Sequence, residues 1–469
     1  MKKLVSIVMA TLALGMLSSC SSISYEKGDE VFTDKIIFDT SVENPKNVNY
    51  YLGVDANVKS VKSGRVELGF GFKNKILTLS GASLKECGAG EKTLKVTYEE
   101  NGKEKSKSVF SFNATKFITT PQEFQDINNK LDGYYILMND IDFKNFGNFE
   151  PLGHYTYEED PNKEYFHGIF DGNGYAIKNL TTSYSDGPTS TTESRYPTNY
   201  DVYSGHPKYT MEGHKMGNNV GVWQFIGSSG VVKNTVFDNV SVHGHTISGV
   251  IAGNCSGQIQ NCLVNSNCQV LIDAHFWDDD CNVGGAVGIV GGSGKVVNTV
   301  CLTKDVSVRG AYEDYNDDYI GESSTGYDHG GNVNNNYWRF WNDFKVVGST
   351  SEQYLDSNGR KTNGTYAFVG KCWGLVSDSV AAQFDTRPYK ENPEEIVPYA
   401  VSFGQTHVGA NKPSSGSENL GEISNCGIYD DAGLKNADNY AGFDTNIWNI
   451  TNGSYPSIKV NLVPTIVAE

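Results

Sequence analysis

Six residues recur along the chain in nearly constant form. Gly230-Val231-Val232-Lys233-Asn234-Thr235 returns as Gly257-Gln258-Ile259-Gln260-Asn261-Cys262, as Gly294-Lys295-Val296-Val297-Asn298-Thr299 and as Gly421-Glu422-Ile423-Ser424-Asn425-Cys426. Gly374-Leu375-Val376-Ser377-Asp378-Ser379 is a degenerate copy, and Ile177-Lys178-Asn179-Leu180 reads as an earlier one. The Asn or Asp positions fall 55, 27, 37, 80 and 47 residues apart. A spacing near 27 suits one coil of a β-solenoid, and the longer intervals suit coils that carry inserted loops. Apolar residues alternate after the asparagine, as in Val236-Phe237-Asp238-Asn239-Val240-Ser241-Val242, which is the period of a strand and not of a helix. In such a stack each residue lies over its counterpart in the next coil. The aliphatic positions merge into a thin continuous core, an inward Asn at the turn bonds backbone and the Asn above it, and glycine supplies corners of positive φ. A sandwich with glycine-rich turns is the competing fold.

Composition fits thin all-β layers. Hydrophobic residues make up 38% of the chain, low for one thick core, and 51 glycines imply frequent turns. Between residues 32 and 115 the segments Lys35–Phe38, Arg65–Phe70, Ile76–Leu79, Thr93–Tyr98 and Ser108–Phe112 are short, β-branched or aromatic, and separated by Gly, Asn and Lys turns. They predict a small β-sandwich. The stretch from Leu77 to Tyr98, with Leu84, Gly88 and Gly90, resembles the immunoglobulin-like modules of secreted carbohydrate-active bacterial proteins, where such modules are often spacers. Thr120-Pro121-Gln122-Glu123 is a capping box with proline at the first helical position, and Phe124, Ile127 and Leu131 then share one helix face. A short amphipathic helix there would cover the otherwise open strand edges at one end of the repeats.

The repeats also resemble the GLUG-type repeats of bacterial surface proteins. Phe166-His167-Gly168-Ile169-Phe170-Asp171-Gly172-Asn173-Gly174-Tyr175-Ala176-Ile177-Lys178-Asn179-Leu180 is similar to that family's opening segment. Tyr134 to Asp142 is similar to the segment before it, and Gly442 to Ile450 with Gly453 and Tyr455-Pro456 to the closing one. The resemblance implies an all-β fold, a right-handed parallel β-helix, following the immunoglobulin-like β-sandwich and the short capping helix. Some family members are zinc peptidases that cleave immunoglobulin A. This chain holds no His-Glu-x-x-His, so that activity does not carry over.

At the start of the chain, Met1-Lys2-Lys3 precedes an apolar run from Leu4 to Leu17, too short for a stop-transfer helix and so read as a signal peptide. Leu17-Ser18-Ser19-Cys20 resembles the lipobox of bacterial lipoproteins, in which the cysteine is diacylated after cleavage. The resulting expectation is a signal peptide over 1–19, a lipidated tether over 20–31, the sandwich over 32–115, and the capping helix with the β-helix over 116–469. Lipid attachment at Cys20 would place the chain in the bacterial cell envelope, extracytoplasmic and surface-exposed, with the membrane as its first partner.

A formal charge of −17 with no basic stripe excludes nucleic acid as a partner and disfavours anionic polysaccharides without a bridging cation. Beyond Cys20, the remaining cysteines include no Cys-x-x-Cys. They read as small buried hydrophobes, with Cys268–Cys281 as the best disulfide candidate in an exported chain. Inserts leave the repeat at about 183–217, 305–366 and 382–418, with a shorter excursion at His275–Asp280. Trp277, Asp278, Asp279 and Asp280 lie in the short one; Tyr312, Asp314, Asp317, Asp318, Trp338 and Trp341 lie in a long one. Aromatic faces beside carboxylates suit sugars, whose C–H faces pack on rings while their hydroxyls bond polar groups. The same aromatics would equally fold a long loop onto the wall as a satellite core. No cofactor motif is present: an EF-hand reading of Asp314-Asn316-Asp318 fails at Tyr319 and Thr325, which leaves Asp278–Asp280 as a generic calcium candidate. Asp-Asp pairs occur at 279–280, 317–318 and 430–431, but the Gly-His-Gly and Arg-x-Lys of pectin-hydrolysing β-helix enzymes do not; His243 and His245 share a strand face. The leading expectation is a noncatalytic surface protein that binds a glycan or a host protein. A polysaccharide-degrading lyase or glycoside hydrolase and a structural envelope protein are the alternatives.

Overall fold

Strand pairing follows the sequence repeat. A computed structural model of the chain describes residues 25–27, 30–32, 35–153, 165–183, 219–244, 247–273, 281–309, 346–347, 363–383, 387–388, 396–397, 404–406 and 421–459. The protein is all-β with a few short helices. It divides into two compact units, Met1–Phe117 with Asp444–Asn449 and Lys459–Glu469, and Ile118–Phe443 with Ile450–Ile458.

In the first unit two sheets enclose one core. Strands Lys35–Asp39, Lys103–Ala114, Gly90–Glu100, Asn57–Ser63 and Val66–Glu67 form the larger sheet in that order, and Val48–Tyr51, Ile76–Leu79 and Phe70–Lys73 form the smaller. Ile36, Val61, Leu94, Val96 and Val109 of the larger sheet meet Val48, Tyr50, Leu77 and Leu79 of the smaller. The long hairpin turns at Asn101 and Gly102, both at positive φ (53° and 70°), as a two-residue turn matched to strand twist requires. The segment expected as one strand over Arg65–Phe70 is divided between the two sheets, because Leu68, only 2% exposed, is the point where the chain crosses through the core. A helix at Gly81–Glu86, which strand periodicity did not foresee, follows Ser80, whose side chain accepts from Ser83 N at 3.4 Å. Its Leu84 is fully buried in the same core.

In the second unit each repeat adds one strand to each of several parallel sheets. From Tyr134 onward the first sheet runs Tyr134–Leu137, Ile169–Asp171, Val231–Lys233, Gln258–Gln260, Lys295–Val297, Leu375–Ser377, Glu422–Ser424. The second runs Ile141–Asp142, Ala176–Lys178, Val236–Asp238, Leu263–Val264, Val300–Cys301, Val380–Ala382, Gly427–Tyr429. A third, fourth and fifth are assembled the same way from later strands of each repeat. Neighbours pair in parallel without slippage in the first sheet, as in Val232↔Ile259 and Ile259↔Val296. The expected equivalence of Asn234, Asn261 and Asn298 therefore holds. Inward residues Phe170, Val232, Ile259, Val296 and Val376 are all fully buried in one core.

The corner between the first and second sheets is made by asparagine, not glycine. Asn234, Asn261, Asn298, Asp378 and Asn425 have φ between 49° and 53°, the left-handed region that Asn tolerates best after Gly. The glycines of the motif were expected at such corners. None of Gly230, Gly257, Gly294, Gly374 and Gly421 has positive φ; instead a Cβ on Gly257 would collide with the carbonyls of Gly227 and Gly230, and one on Gly374 with those of Gly291 and Gly294. Glycine is required there by the close approach of stacked backbones. The asparagine amides bridge repeats, Asn234 Nδ2 to Asp171 Oδ1 at 3.0 Å and Asn261 Nδ2 to Asn234 Oδ1 at 3.3 Å. The residue after each corner donates to the carbonyl two positions back: Thr235 to Lys233 O (2.8 Å), Cys262 to Gln260 O (3.4 Å), Thr299 to Val297 O (3.1 Å), Ser379 to Ser377 O (2.9 Å) and Cys426 to Ser424 O (3.3 Å).

A second ladder stands one corner later. Asn179 and Asn239 have φ of 55° and 54°, Asn179 Nδ2 donates to Asp142 Oδ1 at 2.7 Å, and Asn239 Nδ2 donates to Asn179 Oδ1 at 2.6 Å. Asn179 is therefore the counterpart of Asn239, since Ile177 pairs with Phe237, and not of Asn234 as the motif suggested.

The capping box forms as expected. Thr120 Oγ1 accepts from Glu123 N at 3.2 Å, and Glu123 Oε2 accepts from Thr119 N at 2.9 Å, starting the helix Pro121–Gln125. Phe124 is fully buried against Phe143, Phe149, Phe170 and Trp223, with ring centroids 5.2–5.9 Å apart. At the other end of the sequence, the helix Asp431–Leu434 lies against strands Val380–Ala382 and Gly427–Tyr429. Leu434 and Tyr440 are buried there yet stand apart from the inner core.

The corner role separates two substitutions at Asn261. Asn261→Gly keeps the left-handed backbone and loses the amide bridge, whereas Asn261→Ala loses both. The alanine variant should be the less stable of the two by roughly 1 kcal/mol in urea titration. Equal stability of the two variants would mean that φ does not constrain the corner.

Candidate functional site

Four connections of the second unit leave by one corner. Strands of the third sheet end at Ser183, Gly244, Asp273 and Arg309, and strands of the fourth begin at Asn219, Ile247, Cys281 and Asn363. These ends are in register: Ser183↔His243, Gly244↔Ile272 and Asp273↔Arg309 on the leaving side, Asn219↔Ile247 and Cys281↔Asn363 on the returning side. Segments 184–218, 245–246, 274–280 and 310–362 thus all connect the same pair of sheets. Val346–Val347, within the longest of them, pairs antiparallel with Asp305–Arg309 at the edge of the third sheet.

Trp277, Asp278, Asp279 and Asp280 fall in segment 274–280, and Tyr312, Asp314, Asp317, Asp318, Trp338 and Trp341 fall in segment 310–362. All ten lie outside the described residues, as does Cys20. What the structure places together is their roots. Asp273 and Arg309 are direct partners on neighbouring strands, about 4.8 Å apart, and so are Cys281 and Asn363. The wall beside those roots is polar. On the third sheet Val242, Val270 and Val306 face the core, while Ser241, His243, Gln269 and Asp305 alternate with them, and Gln269 Nε2 donates to Ser241 Oγ at 2.7 Å. His245 lies outside the described residues, and the His243–His245 pair with it. Among the described residues no group of three or more His, Cys, Asp or Glu side chains is placed to hold a metal ion. Sequence reasoning found the inserts and missed the common origin of those at 183–217, 275–280 and 305–366; the one at 382–418 instead follows the second-sheet strand Val380–Ala382. The available signal was their constant position, two strands after each corner asparagine.

The thiols are structural. Cys255, Cys262, Cys268, Cys301 and Cys372 are buried and free. The expected Cys268–Cys281 disulfide is absent, because the Cys268 thiol is turned into the core and donates to Phe237 O at 3.3 Å. Desolvation pushes the Cys255, Cys262 and Cys268 thiols up to about 12 and the Cys372 and Cys426 thiols up to about 11. A protonated, desolvated thiol is a poor nucleophile.

No family model matches the chain, and no curated protein matches it. Among solved structures, one titled IgA1 Protease aligns with 84% of this chain and 27% of its own length, at a TM-score of 0.28 and 13% identity. The chain spans about a quarter of that structure, and a superposition so loose carries no argument about function. Among the described residues no helix is long and apolar enough to cross a membrane.

The thiols give the stability a signature at alkaline pH. Each has a folded value raised above an unfolded one near 9, so its stabilising contribution is complete below that pH and is lost as pH climbs toward about 12. Urea midpoints should fall between pH 9 and 12, and Cys262→Thr, which keeps the hydrogen bond without the titrating group, should flatten part of that fall. An unchanged slope in the variant would show that Cys262 does not contribute.

Proposed function

We propose that the second unit is a right-handed parallel β-helix of GLUG type, and that the whole is a lipid-anchored binding protein of the bacterial surface. The anchor is Cys20, the first unit is an immunoglobulin-like spacer, the helix at Pro121–Gln125 caps the repeats, and the ligand is a glycan or a host surface. One observation carries the reading: four excursions leave one corner in register, so the aromatic and acidic residues of segments 274–280 and 310–362 rise from neighbouring strands. Functional residues concentrate on loops held by a rigid scaffold, and a column of loops from one corner gives a single continuous working edge. Trp277, Trp338 and Trp341 supply stacking faces; Tyr312 and the carboxylates Asp278, Asp279, Asp280, Asp314, Asp317 and Asp318 supply acceptors for sugar hydroxyls or ligands for a bridging calcium ion.

A glycan array followed by analysis of any bound polymer tests the reading. Retention without new chain ends is expected. New reducing or unsaturated ends would replace a binding protein by a lyase or hydrolase, and no retention of any glycan would remove the glycan reading.

The anchor has its own test. Cys20→Ala should release the protein from the membrane fraction or block its maturation. Membrane association in the variant that still needs detergent to break would overturn the lipobox reading.

Exposure of the tryptophans is measurable without a ligand. Trp→Ala at an exposed stacking face costs under about 1 kcal/mol, whereas a buried tryptophan costs roughly 3–5 kcal/mol. At least one of Trp277→Ala, Trp338→Ala and Trp341→Ala should melt within a few degrees of the parent. Large losses in all three would make these aromatics a satellite core.

A further inference from the structure

Away from the loop roots, the turn Asp142 to Phe146 and the helix start Thr120-Pro121-Gln122 line an open groove of about 550 Å³. Its floor is preorganised. Phe143 is buried and anchors the turn, Phe146 N donates to Phe143 O at 2.8 Å, and the half-buried Phe146 ring stands edge-to-face on Phe143 with centroids 5.1 Å apart. Asp142 is the first rung of the second asparagine ladder. Its Oδ1 accepts from Asn179 Nδ2 at 2.7 Å and from Lys144 N at 2.9 Å, bonds that hold the carboxylate in place and ionised below the usual carboxylate range. Among the described hydrogen bonds none reaches Oδ2. Gln122, Lys144 and Asn145 form an exposed rim of amides and an ammonium; one N–H of the Gln122 amide donates to Asp126 Oδ1 at 2.9 Å, which fixes the side chain and leaves its second N–H for a guest.

A supported aromatic ring, a fixed carboxylate and N–H donors around one groove are what a sugar needs. Its C–H face packs on the ring, its hydroxyls donate to the carboxylate, and its oxygens accept from the rim. Asp142 repels a phosphate or an acidic sugar, and the polar rim disfavours a purely apolar guest. We propose that this groove is a carbohydrate subsite that takes one neutral pyranose, with Phe146 beneath its C–H face and Asp142 accepting from its hydroxyls. The site does not depend on segments 274–280 and 310–362, so it stands or falls separately from the edge proposed above.

Saturation-transfer NMR on the full chain tests it with four probes: methyl β-glucoside, methyl β-galactoside, methyl α-mannoside and methyl N-acetyl-β-glucosaminide. At least one should receive saturation, strongest at its ring C–H protons. Phe146→Ala should weaken its binding by roughly five- to tenfold, the loss expected for one aromatic contact. The double variant Gln122→Ala/Lys144→Ala, which changes only exposed side chains, should weaken binding as well and decides the matter if Phe146→Ala is unfolded. No transfer to any of the four probes, or transfer that survives both variants, would overturn the proposal.

Discussion

From Asn234 onward every passage from the first to the second sheet goes through one residue held at φ near 50°. That condition organises the second unit. A non-glycine residue in the left-handed region costs about 1–2 kcal/mol unless its side chain recovers it locally. Asparagine recovers it twice, through tolerance of the conformation and through an amide that bridges to the repeat before it, as Asn261 does to Asn234. Glycine would satisfy the backbone and leave the ladder unmade. The next residue then needs a small donor to occupy the carbonyl that the corner turns away, and Thr, Ser and Cys all serve. The recurring motif thus records three separate conditions: no room for a Cβ, a left-handed corner, and a short donor.

From Asn234 onward the corner keeps one length, two residues between the strands, which holds the ladder in register; the passage before it, from Asp171 to Ala176, is two residues longer. The repeat spacing nonetheless varies from 27 to 80 residues. Much of the variation is absorbed between the third and fourth sheets, where Gly244 is followed by a two-residue link and Arg309 by a segment that returns only at Asn363; the 47-residue interval from Asp378 to Asn425 is absorbed instead after the second sheet, between Ala382 and Glu422. Rigidity at one corner therefore forces length variation to another. A wall that keeps the corner between its first two sheets constant diversifies chiefly along the edge where the aromatic and acidic excursions are rooted.

This division also decides what sequence could reveal. Parallel stacking was legible because Val232, Ile259 and Val296 recur at fixed distance from their asparagines, and the helix before the repeats was legible because Thr120 takes the backbone N–H of Glu123 while Glu123 reaches back to that of Thr119. The assignment of Asn179 failed for a physical reason. Lys178-Asn179 and Lys233-Asn234 are the same dipeptide doing the same job at two different corners, and only the pairing of Ile177 with Phe237 tells them apart. The composition of the candidate edge was legible too. Its convergence was not, since the neighbourhood of Asp273 with Arg309 depends on counting two strands on from each corner asparagine, and strands as short as Leu263–Val264 and Val300–Cys301 leave little pattern to count.

The cysteines show how the stack reconciles free thiols with the proposed export. Cys255 and Cys372 share an aliphatic column, but Val290 stands between them. Cys262 and Cys426 share the donor column with Thr299 and Ser379 between. Neighbouring strands are about 4.8 Å apart, so a pair separated by one intervening strand is about 9.6 Å apart, beyond the roughly 7 Å that a disulfide spans without backbone movement. Interleaving with Val, Thr and Ser keeps these thiols from pairing, and desolvation keeps them protonated and unreactive.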